Sequence, residues 1–268
     1  MLQEVMTAPG VIEFQDVAIP EIKEDQVLVK MMRLGICGSD IHVYHGKHPY
    51  TKYPVTQGHE VSGQIVKVGS AVTSLSAGQK VVLEPQVTCG KYNLCNELKV
   101  MGFQTTGAAS EYFAVDASKV DVIPDSMSYD EAALIEPLSV TVHAAKRFEG
   151  LVGGNVAIIG CGPIGLLLAQ SCKALGAAKV LITDVSDYRL ELARSLGADY
   201  AINTARVSYA DAIEQVFGPD KADVIYECAG NNATMDMAIQ NSRKGAKIIL
   251  VAVFADWAKV CLLYTSPS

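Results

Sequence analysis

From residue 1 to about 130 the apolar positions fall in short runs cut by Gly and Pro: Gln26 to Met32, Val61 to Val68, Lys80 to Leu83, Ala109 to Val115 and Val120 to Ile123. Short Val- and Ile-rich runs between turn residues read as strands, and several at this spacing predict a small β-barrel or sandwich. Helical periodicity is nearly absent from this part. Ser128-Tyr129-Asp130-Glu131 then opens a helix, with Ser128 as N-cap and Glu131 as its capping-box partner, and a second helix is predicted over Val140 to Arg147.

From Asn155 the pattern becomes an alternation of strands and helices. Val156–Ile159 reads as a strand, Ile164–Leu175 as a helix, Val180–Thr183 as a strand and Tyr188–Leu196 as a helix. The series continues through Tyr200–Ile202, a helix near Asp211 to Val216, a strand at Val224–Tyr226, a helix near Met235 to Ile239, and Lys247 to Val253. Strands alternating with helices of this length imply right-handed crossovers and a parallel sheet, doubly wound.

At 268 residues the chain exceeds the usual domain of about 100–200 residues. Two domains are therefore expected, residues 1–142 and 143–268, with one large domain as the alternative. Half of the residues are hydrophobic and 19% are charged, enough apolar material for a core and too little charge for a disordered chain. The net charge of −7, with no cluster of Lys or Arg, disfavours nucleic acid and anionic membrane surfaces as partners. The longest apolar run, Val156 to Cys172, contains Gly160, Gly162, Pro163, Gly165 and Gln170, and suits a buried strand and helix better than a membrane span. The N-terminal residues lack the basic and apolar regions of a secretory signal, so a cytoplasmic location is expected. In that setting the seven cysteines are expected as thiols or metal ligands rather than disulfides.

Gly160-Cys161-Gly162-Pro163-Ile164-Gly165 matches G-x-G-x-x-G directly after a strand and directly before a helix. Its glycines permit a tight turn, close approach of backbone to a pyrophosphate and helix–strand packing, while the helix N-terminus offers unpaired N–H groups to phosphate. Asp184 ends the second strand, where an acidic side chain hydrogen-bonds an adenosine ribose and repels the 2′-phosphate of NADP. NAD is the expected cofactor. Arg189, on the helix that follows, is counted with Gly160, Gly162, Pro163, Ile164, Gly165 and Asp184 in the cofactor-binding set.

Upstream lie Gly35-Ile36-Cys37-Gly38-Ser39-Asp40-Ile41-His42 and the stretch Gly58-His59-Glu60-Val61-Ser62-Gly63, which runs on to Gly69. With Glu136-Pro137-Leu138 and the dinucleotide motif, they resemble zinc-dependent medium-chain alcohol dehydrogenases, particularly the polyol branch of sorbitol-type and sugar-acid dehydrogenases. The resemblance runs from about residue 1 to about 254. It implies an N-terminal GroES-like β-barrel catalytic domain, a C-terminal Rossmann domain, one catalytic zinc and a small-molecule alcohol substrate. Full-length relatives of this kind assemble as homodimers or homotetramers.

A thiolate, an imidazole and a carboxylate make a plausible zinc set, and catalytic sites keep the fourth position open. Cys37, His59 and Glu60 are the candidate ligands. By resemblance Glu136 lies beside the metal as an alternative or water-bridged ligand, and Asp40 orients the His behind it. Which of Glu60 and Glu136 is the direct third ligand stays open. Zinc acts in this family as a Lewis acid that stabilises the substrate alkoxide for hydride transfer. Ser39 and His42 match the family's proton relay, which passes from substrate through a hydroxyl and the cofactor ribose to an imidazole. His45 and His48 match no family function and read as solvated loop residues.

Two departures stand out. Many relatives carry a four-cysteine lobe that closes a structural zinc site, whereas here only Cys89 and Cys95 remain, and two thiols cannot close a tetrahedron. No structural zinc is expected. The family pattern stops near Phe254, and the tail from Cys261 to Ser268 resembles no family segment, which suggests truncation before a sixth strand. The competing functions are a zinc-free, NADPH-linked reductase of the same superfamily, an L-threonine-type dehydrogenase and a non-catalytic nucleotide-binding fragment.

Overall fold

The structure is a computed structural model that describes residues 1–88, 95–254 and 257–260. Cys89, on which the structural-zinc expectation turns, and the tail from Cys261 lie outside the described residues. The chain divides into two compact units, Met1–Glu136 and Pro137–Ser268. Among the described residues no helix is long and apolar enough to cross a membrane.

The first unit opens with an antiparallel hairpin of β1 (Leu2–Ala8) and β2 (Val11–Asp16), closed over Pro9–Gly10. β3 (Gln26–Leu34), the short helix α1 (Gly38–Tyr44), β4 (Val61–Val68) and β5 (Lys80–Leu83) follow. Next come the short pair β6 (Gln86–Val87) and β7 (Lys99–Val100), then β8 (Tyr112–Asp116) and β9 (Val120–Val122). The main antiparallel sheet runs in the order β8-β3-β4-β5-β9. Val27, Val29, Val61, Ile65, Val81, Leu83, Phe113 and Val115 form its core. The unit ends on α2 (Tyr129–Ala133), whose N-cap is Ser128 with the capping box to Glu131.

α3 (Ile135–Ala145) begins five residues before the start expected from the sequence, at Val140. Pro137 masks it, yet Pro belongs in a first helical turn, where its missing N–H would have no partner. α1 escapes periodicity because seven residues are barely two turns. The β1–β2 hairpin was also invisible, since β2 leaves all six of its residues exposed and buries no alternate face.

The second unit is built from β10 (Asn155–Ile159), α4 (Pro163–Ala174), β11 (Lys179–Asp184), α5 (Asp187–Ser195) and β12 (Tyr200–Asn203). It continues with α6 (Tyr209–Phe217), β13 (Val224–Glu227), α7 (Asn232–Asn241) and β14 (Lys247–Leu250). The five strands are parallel in the order β12-β11-β10-β13-β14. The period of two along each strand sorts the side chains into two cores. Val156, Ile158, Val180, Ile182, Val224 and Tyr226 pack with Leu168 of α4 and Leu190 of α5. Ala157, Ile159, Leu181 and Ile225 pack on the other face with Ile213 and Phe217 of α6 and Ala238 of α7. A sheet covered on both faces by its crossover helices is doubly wound, as expected.

Candidate metal centre and dinucleotide turn

The pairing of β3 with β4 brings together two motifs that are separate in sequence. Leu34 pairs with Val61, so the residues that leave β3 run beside those that enter β4, and the Gly35 N–H donates to the Glu60 carbonyl at 2.8 Å. Cys37 is the N-cap of α1, and Ser39, Asp40 and His42 lie in its two turns. The ligand atoms of Cys37, His59 and Glu60 all lie within 4.8 Å of one another. His59 and Glu60 are buried, and Cys37 is half-buried.

Glycine makes this approach possible. A Cβ at Gly35 would overlap the Glu60 Oε2 and stand 2.9 Å from its Cβ. Gly58, at φ +98°, has the Ala109 backbone nitrogen 2.9 Å from where its Cβ would stand, and it sets the direction in which His59 leaves the turn.

Burial is the leading cause of every shift in the cluster, and neighbouring negative charge adds to it at Cys37, Asp40 and Glu136. Burial pushes the Cys37 thiol up to about 11, against the pull of the Ser39 backbone N–H, and the Glu60 charge adds to the rise. Burial raises Asp40 to about 6, offset by the Cys37 N–H. It raises Glu136 to about 7, with the charges of Glu60 and Asp40 adding to the effect. Glu60 is raised too, chiefly by burial. Burial pushes His59 down to about 4, so it is neutral, and its Nδ1 is buried without a hydrogen-bond partner.

Asp40 Oδ1 stands 3.7 Å from that Nδ1, longer than a hydrogen bond. With His59 neutral the two are no ion pair. Asp40 instead accepts from the Cys37 N–H at 2.8 Å and from the Gln57 side-chain amide at 3.1 Å. It therefore holds the backbone of one candidate ligand rather than the ring of the other. Glu136 lies outside the 4.8 Å group but within reach of its charge. Ser39 hydrogen-bonds toward the Cys37 sulfur, and His42 follows it one turn later on α1.

His48 is not the solvated loop residue expected. It is half-buried, stacked on Phe103 at 4.7 Å and joined to the Thr51 hydroxyl at 2.7 Å, while Phe103 also lies 4.9 Å from the His59 ring. No local pattern signals this, because Phe103 arrives from a distant part of the chain. His45 is exposed, as expected.

A sulfur, an imidazole nitrogen and a carboxylate converge beside acids raised chiefly by burial and an unpartnered buried nitrogen. That donor set fits a zinc ion with an open position. A dication would supply the positive charge that the cluster lacks.

In the second unit the Gly160–Gly165 turn joins β10 to α4. Gly160 has φ +101°, and a Cβ at Gly165 would overlap the Gly160 carbonyl oxygen, so helix and turn touch only because both are glycine. Gly162 is the N-cap of α4, Pro163 opens the helix, and nothing lies within 4 Å of a Cβ at Gly162. Ile164 is half-buried in the first turn. Asp184 ends β11, its Oδ2 accepting the Cys161 N–H at 2.8 Å and its Oδ1 accepting the Val185 and Ser186 N–H groups at 2.8 and 2.9 Å. The Arg189 guanidinium is exposed, 3.8 Å from Asp184.

Residues 23–125 match the family model described as alcohol dehydrogenase GroES-like domain, and residues 163–264 match that described as zinc-binding dehydrogenase. The second match continues past Phe254. The chain is 38% identical over 266 residues to a sorbitol dehydrogenase of Bacillus subtilis, covering 94% of this chain and 75% of that one. It is 34% identical over 275 residues to an L-threonine 3-dehydrogenase of Chromobacterium violaceum, covering 97% and 80%. Its fold matches, with a TM-score of 0.92 and 29% identity, a crystal structure from Sinorhizobium meliloti described as a zinc-binding dehydrogenase bound to NADP, covering 98% and 80%.

Gly35→Ala is expected to displace the Glu60 carboxylate and weaken zinc binding by about tenfold or more, as loss of a ligand's support commonly does. Zinc retained after dialysis against a chelator measures this, and full retention would show that Glu60 is dispensable. A pH dependence follows from the raised acids. A carboxyl whose folded pKa lies above its unfolded value stabilises the fold at low pH, and that contribution is lost as pH rises through the folded pKa, here about 6 for Asp40 and about 7 for Glu136. His59, lowered to about 4, acts oppositely, but only below its ordinary value of 6.5. The melting temperature of the metal-free protein should therefore fall between about pH 6.5 and 7.5, with Glu136→Gln flattening the slope. A rising melting temperature that Glu136→Gln leaves unaltered would contradict this account.

Proposed function

The chain belongs to the zinc-binding alcohol dehydrogenase family, and from that premise we propose that it oxidises a secondary hydroxyl of a polyol or sugar acid to a ketone, with NAD as hydride acceptor. Alcohol oxidoreduction follows from the lineage. The finer reading rests on one observation above others, the convergence of Cys37, His59 and Glu60 within 4.8 Å among buried acids. These three residues hold the metal in this reading, with Glu136 as the reserve carboxylate. Residues 1–142 act as the catalytic domain and residues 143–268 as the cofactor domain.

When bound, zinc supplies Lewis-acid stabilisation of an alkoxide. The chain's own residues manage the proton. The Ser39 hydroxyl, adjoining the Cys37 sulfur, accepts the substrate's proton as it gives up its own, and His42, one turn further along α1, takes the released proton toward solvent. Relay of this kind is worth about 10²–10⁴-fold in rate. Asp40 keeps Cys37 in place through its N–H.

NAD rather than NADP is favoured by Asp184. Its two oxygens take three backbone N–H groups, and a carboxylate accepts about four hydrogen bonds, so one acceptor site remains for a ribose hydroxyl. Its charge at the end of β11 opposes a 2′-phosphate. The Sinorhizobium neighbour is bound to NADP, so the proposed NAD preference rests on Asp184 and not on that likeness.

The test is NADH formation by the zinc-loaded chain with sorbitol, xylitol, galactonate and threonine. Activity with a polyol or sugar acid is expected, and Cys37→Ser should cost at least about 10²-fold together with the zinc. Asp184→Ala should move the cofactor preference toward NADP. A zinc-loaded chain that reduces NAD with none of the four would sink the proposal, and threonine alone would favour the L-threonine reading.

A further inference from the structure

Glu4, on β1, is an ionisable group that the proposed chemistry does not use. Its Oε1 is buried with no hydrogen-bond partner, and its Oε2 accepts the backbone N–H of Gln57 at 3.1 Å. Around it Leu2, Met6, Ile12 and Phe14 line a cavity of about 430 Å³ whose polar wall includes Asp40 and Gln57. An acid with a buried, unpaired oxygen among apolar side chains is costly, and an apolar residue would fill the position without that cost. Its contacts point to a purpose.

They form a continuous chain. The Glu4 N–H donates to the Ala109 carbonyl at 2.8 Å, and the Ala109 N–H donates to the Gln57 carbonyl at 2.9 Å. Gln57 is thereby held at its N–H by the Glu4 carboxylate and at its carbonyl by the residue that Glu4 also grips. The Gln57 side-chain amide donates to Asp40 Oδ1 at 3.1 Å, and Asp40 Oδ2 accepts the Cys37 N–H at 2.8 Å. Two residues past Gln57 stands His59. A displacement of Gln57 would therefore reach both motifs at once, His59 through the backbone and Cys37 through Asp40.

We propose that Glu4 is a positioning residue for the metal centre, whose carboxylate fixes Gln57 and, through Gln57 and Asp40, sets the placement of Cys37 relative to His59. The inference rests on the reading of Cys37, His59 and Glu60 as metal ligands.

Its test is metal affinity rather than turnover. Zinc binding to the full chain is measured by competition with a chromophoric chelator, and the ligand geometry by the thiolate-to-cobalt charge-transfer band of the cobalt(II)-loaded protein. Glu4→Ala should weaken zinc about 10–100-fold and alter the cobalt band, the usual effect of removing a residue that supports a ligand. Glu4→Gln, whose amide oxygen accepts the same N–H, should restore both. Thr7→Ala, on the same strand with its hydroxyl turned to Glu13, should match the parent. Should Glu4→Ala fail to fold, Gln57→Ala removes the link to Asp40 and is expected to lose the same 10–100-fold. Parent-like zinc affinity and an unaltered cobalt band in Glu4→Ala, or Glu4→Gln as weak as Glu4→Ala, would overturn the proposal. A parent chain that binds no zinc would instead overturn the metal centre itself, a result distinguishable from the other two.

Discussion

Cys37, Asp40, Glu60 and Glu136 are brought partly or wholly out of water into one place; burial raises all four, and the negative charge of Glu60 raises Cys37, Asp40 and Glu136 further. Two like charges about 5 Å apart at an effective dielectric of about 20 repel by about 3 kcal/mol. The fold can hold such groups together only by protonating them or by supplying a cation. Protonation is what the raised acids and thiol describe, and a dication is what the donor set suits. The β3–β4 register, the cap of α1 and the missing side chain at Gly35 all serve to bring these groups close. The neutral, unpartnered His59 nitrogen belongs to the same arrangement, since a protonated imidazole could not serve as a ligand.

The second unit answers a different constraint. Its sheet is apolar on both faces, so its strands alternate between two cores, which leaves the strand ends as the places for polar groups. The Gly160–Gly165 turn lies at one such end, with the Gly160 carbonyl so close to Gly165 that no side chain fits there. Asp184 ties the neighbouring strand end to that turn through the Cys161 N–H. A turn closed on its helix, an open helix N-terminus and an acid in register suit a dinucleotide phosphate through backbone N–H groups, while the one loop thiol, Cys161, is turned to the Arg189 carbonyl.

Much of this was legible locally. Val61–Val68 and Lys80–Leu83 have the bounds that their runs imply, and the second unit's strands and helices fall close to where alternation places them. The β1–β2 hairpin, α1 and the start of α3 were not legible. An exposed strand has no buried face to show, a two-turn helix has no period, and Pro137 disguises a first turn. The role of His48 was hidden as well, since its partner Phe103 comes from far along the chain.

The sequence by itself determined the chemistry on offer, which is a thiol, an imidazole and carboxylates in two spaced motifs, a glycine turn and an acid at the second strand's end. Consecutive residues encode this, because turn dihedrals, caps and side-chain periods depend on near neighbours. Tertiary structure alone decided which of those groups share a desolvated volume, that Asp40 grips Cys37 rather than the His59 ring, and that Glu4 reaches Gln57. Strand register and burial arise from contacts between distant parts of the chain, and it is burial that sets the charge each group can carry.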